Sequence, residues 1–247
     1  MTGALVLAVL ASFVAVAPQA FAHQRQLYTI GDKDYLIVIG SKNEPVFVDD
    51  KSGVDLFVYS PDPSDPMNSR AAGTKPVEGL EKTLKVELSA GDKKMTLPLE
   101  PAHRDPGHYN APFYPTVATT YNYRIFGTIN NTPVNLTFTC SAGGEGATAN
   151  NSTVVISAGV VRKGLAGGFG CPKAITDAGF PEKYTSNVDM NAALKQLQSD
   201  VSSIKSSVSS PSTSNDGTMM AFAGIGAGVV GIGLAIGAIV IASKKKG

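Results

Sequence analysis

Three histidines, His23, His103 and His108, are the only imidazoles in this 247-residue chain. One of them stands where processing would make it a terminal residue. Residues 4–17 form an uncharged apolar run, followed by Pro18 and then by Ala20-Phe21-Ala22. That order is the pattern of a secretory signal peptide with an Ala-x-Ala cleavage site. Cleavage after Ala22 would leave His23 with a free α-amine. That amine and the ring Nδ1 make a chelating pair, and a second histidine completes a T-shaped set of nitrogens suited to Cu(II). His103 and His108 flank Arg104-Asp105-Pro106-Gly107, and either could supply the second imidazole, with Asp105 or Glu100 as supporting acceptor. The plainer reading makes His23 a frayed terminus and the other two ordinary loop residues. Cleavage one residue away would abolish the chelate, so the two readings separate on the site of processing.

Other chemistry is sparse. Cys140 and Cys171 are the only cysteines. Outside the cell such a pair is most simply a disulfide, and the alternative is a pair of soft metal ligands, for which no Cys-x-x-Cys spacing or adjacent histidine speaks. An enzyme is not expected: no Gly-x-Ser-x-Gly elbow occurs, and the glycine-rich run from Gly164 to Cys171 lacks the Lys-Ser/Thr of a phosphate loop. Asp49-Asp50 and Asp62 to Asp65 fall in polar loops, where they read as turn formers or a weak Ca²⁺ site. Asn130, Asn135, Asn150 and Asn151 head Asn-x-Ser/Thr acceptors.

The elements that must position the histidines read as β. Tyr35 to Ile39, Val54 to Tyr59, Thr83 to Leu88, Lys93 to Leu99, His108 to Phe113, Tyr121 to Gly127 and Val134 to Phe138 are short runs bounded by turn residues. Leu84, Val86 and Leu88 alternate with Lys85 and Glu87, the period of a half-buried strand. About seven such strands with no helical stretch predict a mainly β fold, an immunoglobulin-like antiparallel β-sandwich over 23–140. The Pro- and Ser-rich stretch at 60–79 is expected as an exposed loop. Residues 141–186 read as a disulfide-linked extension with a hairpin or edge strand near Val154 to Val161.

From 187 to 210 the texture changes. Met190, Leu194, Leu197, Val201, Ile204 and Val208 are spaced 4, 3, 4, 3 and 4, an a/d seam. Two readings stand: a short parallel coiled-coil stalk that oligomerises the protein, or a lone amphipathic helix packed on its own domain or on lipid headgroups. A polar linker at 211–218 follows. Residues 219–242 are apolar and uncharged, long enough to cross about 30 Å of hydrocarbon. They carry Gly224-x-x-x-Gly228 and Gly233-x-x-x-Gly237, a spacing that lets helices approach closely. The tail at 243–247 holds Lys244, Lys245 and Lys246, which the positive-inside rule keeps in the cytoplasm. The expected arrangement is a signal peptide at 1–22, an extracytoplasmic domain and a single-pass anchor in the cell membrane. Without the tail lysines, 18 basic residues face 20 acidic ones, and no basic patch marks a nucleic-acid surface.

Asp105 to Thr116, with Gly107-His108-Tyr109-Asn110-Ala111-Pro112-Phe113-Tyr114-Pro115-Thr116 at its heart, and Tyr121-Asn122-Tyr123-Arg124-Ile125 resemble a pattern of extracytoplasmic immunoglobulin-like sandwiches. Together with Ala22-His23, they are similar to the copper-resistance C type of periplasmic copper carrier. The resemblance covers about half of the expected ectodomain. It implies a β-sandwich that binds copper through its N-terminal amine and histidines. Two departures stand out: Thr119-Thr120 occupies the place of a turn glycine, and Met67 and Met95 are isolated, so no Met-rich Cu(I) loop is present. The alternative function is a structural or interaction module that displays a sandwich domain to a protein partner.

Overall fold

A computed structural model describes residues 22–142 and 146–209. The signal peptide expected at 1–22 (apart from Ala22), the linker expected at 211–218, the apolar run at 219–242 and the lysine tail lie outside the described residues. Among the described residues no helix is long and apolar enough to cross a membrane.

The chain is mainly β and its named strand pairings are antiparallel. The strands are β1 (His23–Ile30), β2 (Lys33–Ser41), β3 (Ser52–Ser60), β4 (Lys75–Pro76), β5 (Leu84–Ala90), β6 (Lys93–Pro98), β7 (Glu100–Pro101), β8 (His108–Phe113), β9 (Tyr121–Ile129), β10 (Thr132–Thr139), β11 (Ala147–Asn150), β12 (Val154–Ser157) and β13 (Val160–Gly167). A helix, α1 (Asn187–Ser209), ends the described chain. The larger sheet runs β11-β13-β1-β2-β3-β8-β7, with β12 on β13 and β4 on β3, and the smaller runs β10-β9-β5-β6.

Turn chemistry explains the hairpins. Asn130 and Asn131 both take positive φ between β9 and β10, the conformation that matches hairpin twist and that asparagine tolerates. Alternation explains the core. Leu84, Val86 and Leu88 of β5, Tyr123 and Ile125 of β9, and Leu136 and Phe138 of β10 meet Ile37 and Ile39 of β2, Leu56 and Val58 of β3, and Tyr109 of β8 in one buried cluster. A buried hydroxyl pair ties the sheets together, Ser41 Oγ to Tyr123 Oη at 2.7 Å.

Three features differ from the sequence expectation. First, β1 is a full strand, although Gln24-Arg25-Gln26 offers no alternation. Second, residues 147–167 are not an appendage: β13 pairs along β1 inside the larger sheet. The Cys140–Cys171 disulfide closes this return, flanked by Ser141 N donating to Phe169 O at 2.9 Å and Cys171 N donating to Ser141 O at 3.0 Å. Third, the stretch at 60–79 is only partly exposed. Met67 lies over Gly164 beside Leu27. On the sheet face turned away from the core, Leu27, Leu36 and Val38 are buried as well, so apolar residues occupy both faces of β2 and the strand reads as a continuous apolar run.

Candidate metal centre

The register of the larger sheet gathers the candidate ligands. His23 pairs with Gly40, Gly40 pairs with Asp55, and Val38 pairs with Phe57. Asp55 pairs with Asn110 and Phe57 with His108. Directly paired residues share a face, so His23, Asp55, Phe57 and His108 all stand on the side away from the core. This follows from alternation: Val54, Leu56 and Val58 take the core side of β3, and Asp55, Phe57 and Tyr59 take the other.

Asp55 is the hub. His23 Nε2 donates to Asp55 Oδ2 at 3.0 Å, and His108 Nε2 meets Asp55 Oδ1 at 2.5 Å. On its far side, His108 Nδ1 meets Asp105 Oδ2 at 2.8 Å. The side chains of His23, Asp55 and His108 are 25%, 14% and 15% exposed, shielded enough to hold their geometry yet open to a small ligand. Burial by itself would raise the Asp55 carboxyl. The hydrogen bonds from His23 and His108, and the charges of those rings, outweigh it and hold the carboxyl below its usual value. Glu44, close enough to feel His23, moves the other way: burial raises it despite the Ser41 backbone donor.

Phe57 is the floor of the site. Its ring stacks on His108 with centroids 4.0 Å apart and meets His23 edge-on at 5.9 Å. Gly40 is the gap through which His23 reaches Asp55. A Cβ built at Gly40 would lie 2.8 Å from His23 Cδ2, 2.9 Å from His23 Cγ and 2.6 Å from the Ala22 carbonyl oxygen. The Cδ2 edge of the imidazole therefore occupies the space a side chain would take, and Nδ1 sits on the opposite edge of the ring.

Of the three histidines, the fold brings His23 and His108 together and leaves His103 exposed in the preceding turn. Arg104 and Gly107, both at positive φ, reverse the chain between them, so only His108 enters the sheet. Asp105 reaches His108, whereas Glu100 on β7 makes no contact with either ring among the described residues. Asp55, Gly40 and Phe57 were not singled out in the sequence. For Asp55 a signal existed: it is the single charge in β3. For Gly40 there was none.

The carboxylates of the polar loops serve the backbone. Asp62 accepts from Ser64 N at 2.9 Å, Ser64 Oγ at 2.7 Å and Gly73 N at 2.9 Å. Among the described residues no group of three or more His, Cys, Asp or Glu side chains is set as a metal-ligand cluster. The copper donor set expected from the sequence draws instead on two imidazoles and a main-chain amine that cleavage after Ala22 would create. The residues fit that set in one specific respect. In the neutral ring, with Asp55 accepting from Nε2, the lone pair of His23 rests on Nδ1, the atom that closes a chelate with the α-amine. Comparison with protein-family models, curated proteins and solved structures gives no match.

Proposed function

We propose that this protein is a membrane-anchored, extracytoplasmic immunoglobulin-like β-sandwich that binds Cu(II) through a processed N-terminal histidine and handles copper outside the cell membrane. The observation that carries the reading is the convergence of His23 and His108 on one shielded carboxylate. His23 would supply its α-amine and Nδ1, and His108 would supply Nε2 as the third nitrogen by exchanging its contact with Asp55 Oδ1 for the metal, its ring oriented by Asp105 at Nδ1. Asp55 would accept from His23 Nε2 or supply an oxygen donor. Bound Cu(II) would supply a cation that prefers nitrogen donors. The signal peptide at 1–22 and the apolar run at 219–242 support the location, with α1 as a helical stalk between domain and anchor.

The test is a Cu(II) titration with electron paramagnetic resonance on protein that begins at His23, beside protein carrying one extra residue before it. A one-to-one nitrogen-ligated signal lost in the extended form supports the reading. Equal, weak binding by both forms overturns it. A second reading, an interaction module without metal, is favoured by one observation. A cavity of about 420 Å³ opens among Leu88, Met95, Phe113, Tyr114, Val117 and Tyr121, and Met95, Tyr114 and Val117 are exposed. That reading predicts a protein partner whose binding is indifferent to His23→Ala.

A further inference from the structure

Among the described residues, the apolar seam of the helix α1 is exposed. Met190, Leu194, Leu197, Val201 and Ile204 are 37–56% exposed, an unusual state for five large apolar side chains on one face. Their 4-3-4-3 spacing has a period of 3.5. On a straight helix a 3.6-residue turn makes such a stripe drift by about 20° per heptad, and supercoiling against another helix of the same repeat removes the drift. Leu194, Val201 and Val208 then take a positions, and Met190, Leu197 and Ile204 take d positions.

The flanks say what the partner is. Positions e and g hold Asn191, Ala193, Gln198, Asp200, Lys205 and Ser207, of which only Asp200 (g) and Lys205 (e) are charged. In a parallel pair, a g residue faces the e residue five positions further along the other helix. Asp200 of one copy would thus face Lys205 of the other, twice over by symmetry. Within the helix Asp200 Oδ1 accepts from Gln196 Nε2 at 2.9 Å, and residues five apart on one helix are not surface neighbours, so an Asp200–Lys205 pair would have to form between chains. A lipid surface suits the helix poorly. It carries two lysines, Lys195 and Lys205, against two acids, Asp189 and Asp200, whereas headgroup-seated helices are rich in Lys and Arg.

We infer that α1 is the docking surface for a second copy of this chain, joined in parallel and in register, with Asp200 and Lys205 selecting that register. The inference is independent of copper binding and concerns this helix alone.

Cysteine trapping in the full chain tests it. Described cysteines are all disulfide-bonded, so an introduced cysteine is the one available thiol. Leu197→Cys, at a seam position, should form a covalent dimer under mild oxidation, and Ser199→Cys, on the outer face of the same turn, should not. No dimer from Leu197→Cys, or equal trapping at both positions, overturns the pairing. Charge exchange provides a second readout that needs no oxidation. Asp200→Lys should weaken self-association roughly fivefold, and adding Lys205→Asp should restore it. Failure of the double variant to recover overturns the parallel register. Neither readout involves His23, so loss of copper binding leaves both unchanged.

Discussion

Gly40→Ala should weaken Cu(II) binding by the processed protein without unfolding it. Gly40 has no positive φ, so alanine is compatible with the backbone and the effect is steric. The new Cβ would meet His23 Cδ2 and Cγ at 2.8 and 2.9 Å. Carbon atoms settle at about 3.5–4.0 Å, so the ring would have to retreat by roughly 1 Å. The Ala22 carbonyl, the third close atom, is removed by cleavage, which leaves the imidazole as the obstacle. Retreat lengthens the 3.0 Å contact of Nε2 with Asp55 and breaks the tautomer lock that places the lone pair on Nδ1. Losing one charge-assisted hydrogen bond costs about 1.5–3 kcal/mol, which corresponds to a loss of about ten- to a hundredfold in copper affinity. Stability should move less, because the ring is at the chain end and is partly exposed, and because alanine restricts the unfolded chain by about 0.4–1 kcal/mol. The assay is a competition titration of Cu(II) on wild type, Gly40→Ala, His23→Ala and the double variant. The effect of Gly40→Ala should vanish in the His23→Ala background, as expected for two residues acting through one contact. Wild-type affinity in Gly40→Ala, or a loss that persists without His23, would refute the reasoning.

Further outcomes follow from the same geometry. Because the folded Asp55 carboxyl lies below its ordinary value, its stabilising contribution is full above about pH 4 and is lost as pH falls through the lower, folded value. Asp55→Asn should therefore flatten the acid limb of a pH–stability curve, and an unchanged limb would show that the hub contributes nothing. Replacing Cys140 and Cys171, 31 positions apart, by alanine should cost about 3.7 kcal/mol, the loop-entropy value for a loop of that length, measured by denaturant unfolding of the double variant beside native protein. Tyr123→Phe should cost about 1–3 kcal/mol because it leaves the buried Ser41 hydroxyl without its partner, and thermal melting reads this directly.

The mutual arrangement of His23 and His108 illustrates how a sheet makes a site. β1 and β8, far apart in the chain, stand in one sheet with β2 and β3 between them, and β3 lends the carboxylate. A strand that begins with a candidate ligand gains order from pairing on both sides. β1 is flanked by β2 and β13, so the histidine that processing would expose is anchored by hydrogen bonds from its own strand. The disulfide contributes indirectly: it holds the end of the return that delivers β13 to β1.

Local signals in the chain determined a great deal. Alternation in Thr83 to Leu88 and the Asn130-Asn131 turn specify strands and a hairpin, because side-chain period and backbone handedness are short-range properties. The heptad spacing of Met190 to Val208 specifies a helix with one apolar face for the same reason. The pairing of the two cysteines was legible from their number and expected compartment. The site was half legible: His23 and His108 stand out by rarity and placement, yet His103 is equally rare and lies apart. Which of them meet was decided by sheet register, a long-range property. The register puts Asp55 opposite Gly40, and Gly40 opposite His23, and no local pattern encodes either pairing. The same holds for β1 and β13, whose Gln-, Arg- and Gly-rich stretches lack alternation. They are strands because neighbours satisfy their backbone groups, and only the assembled sheet supplies those neighbours.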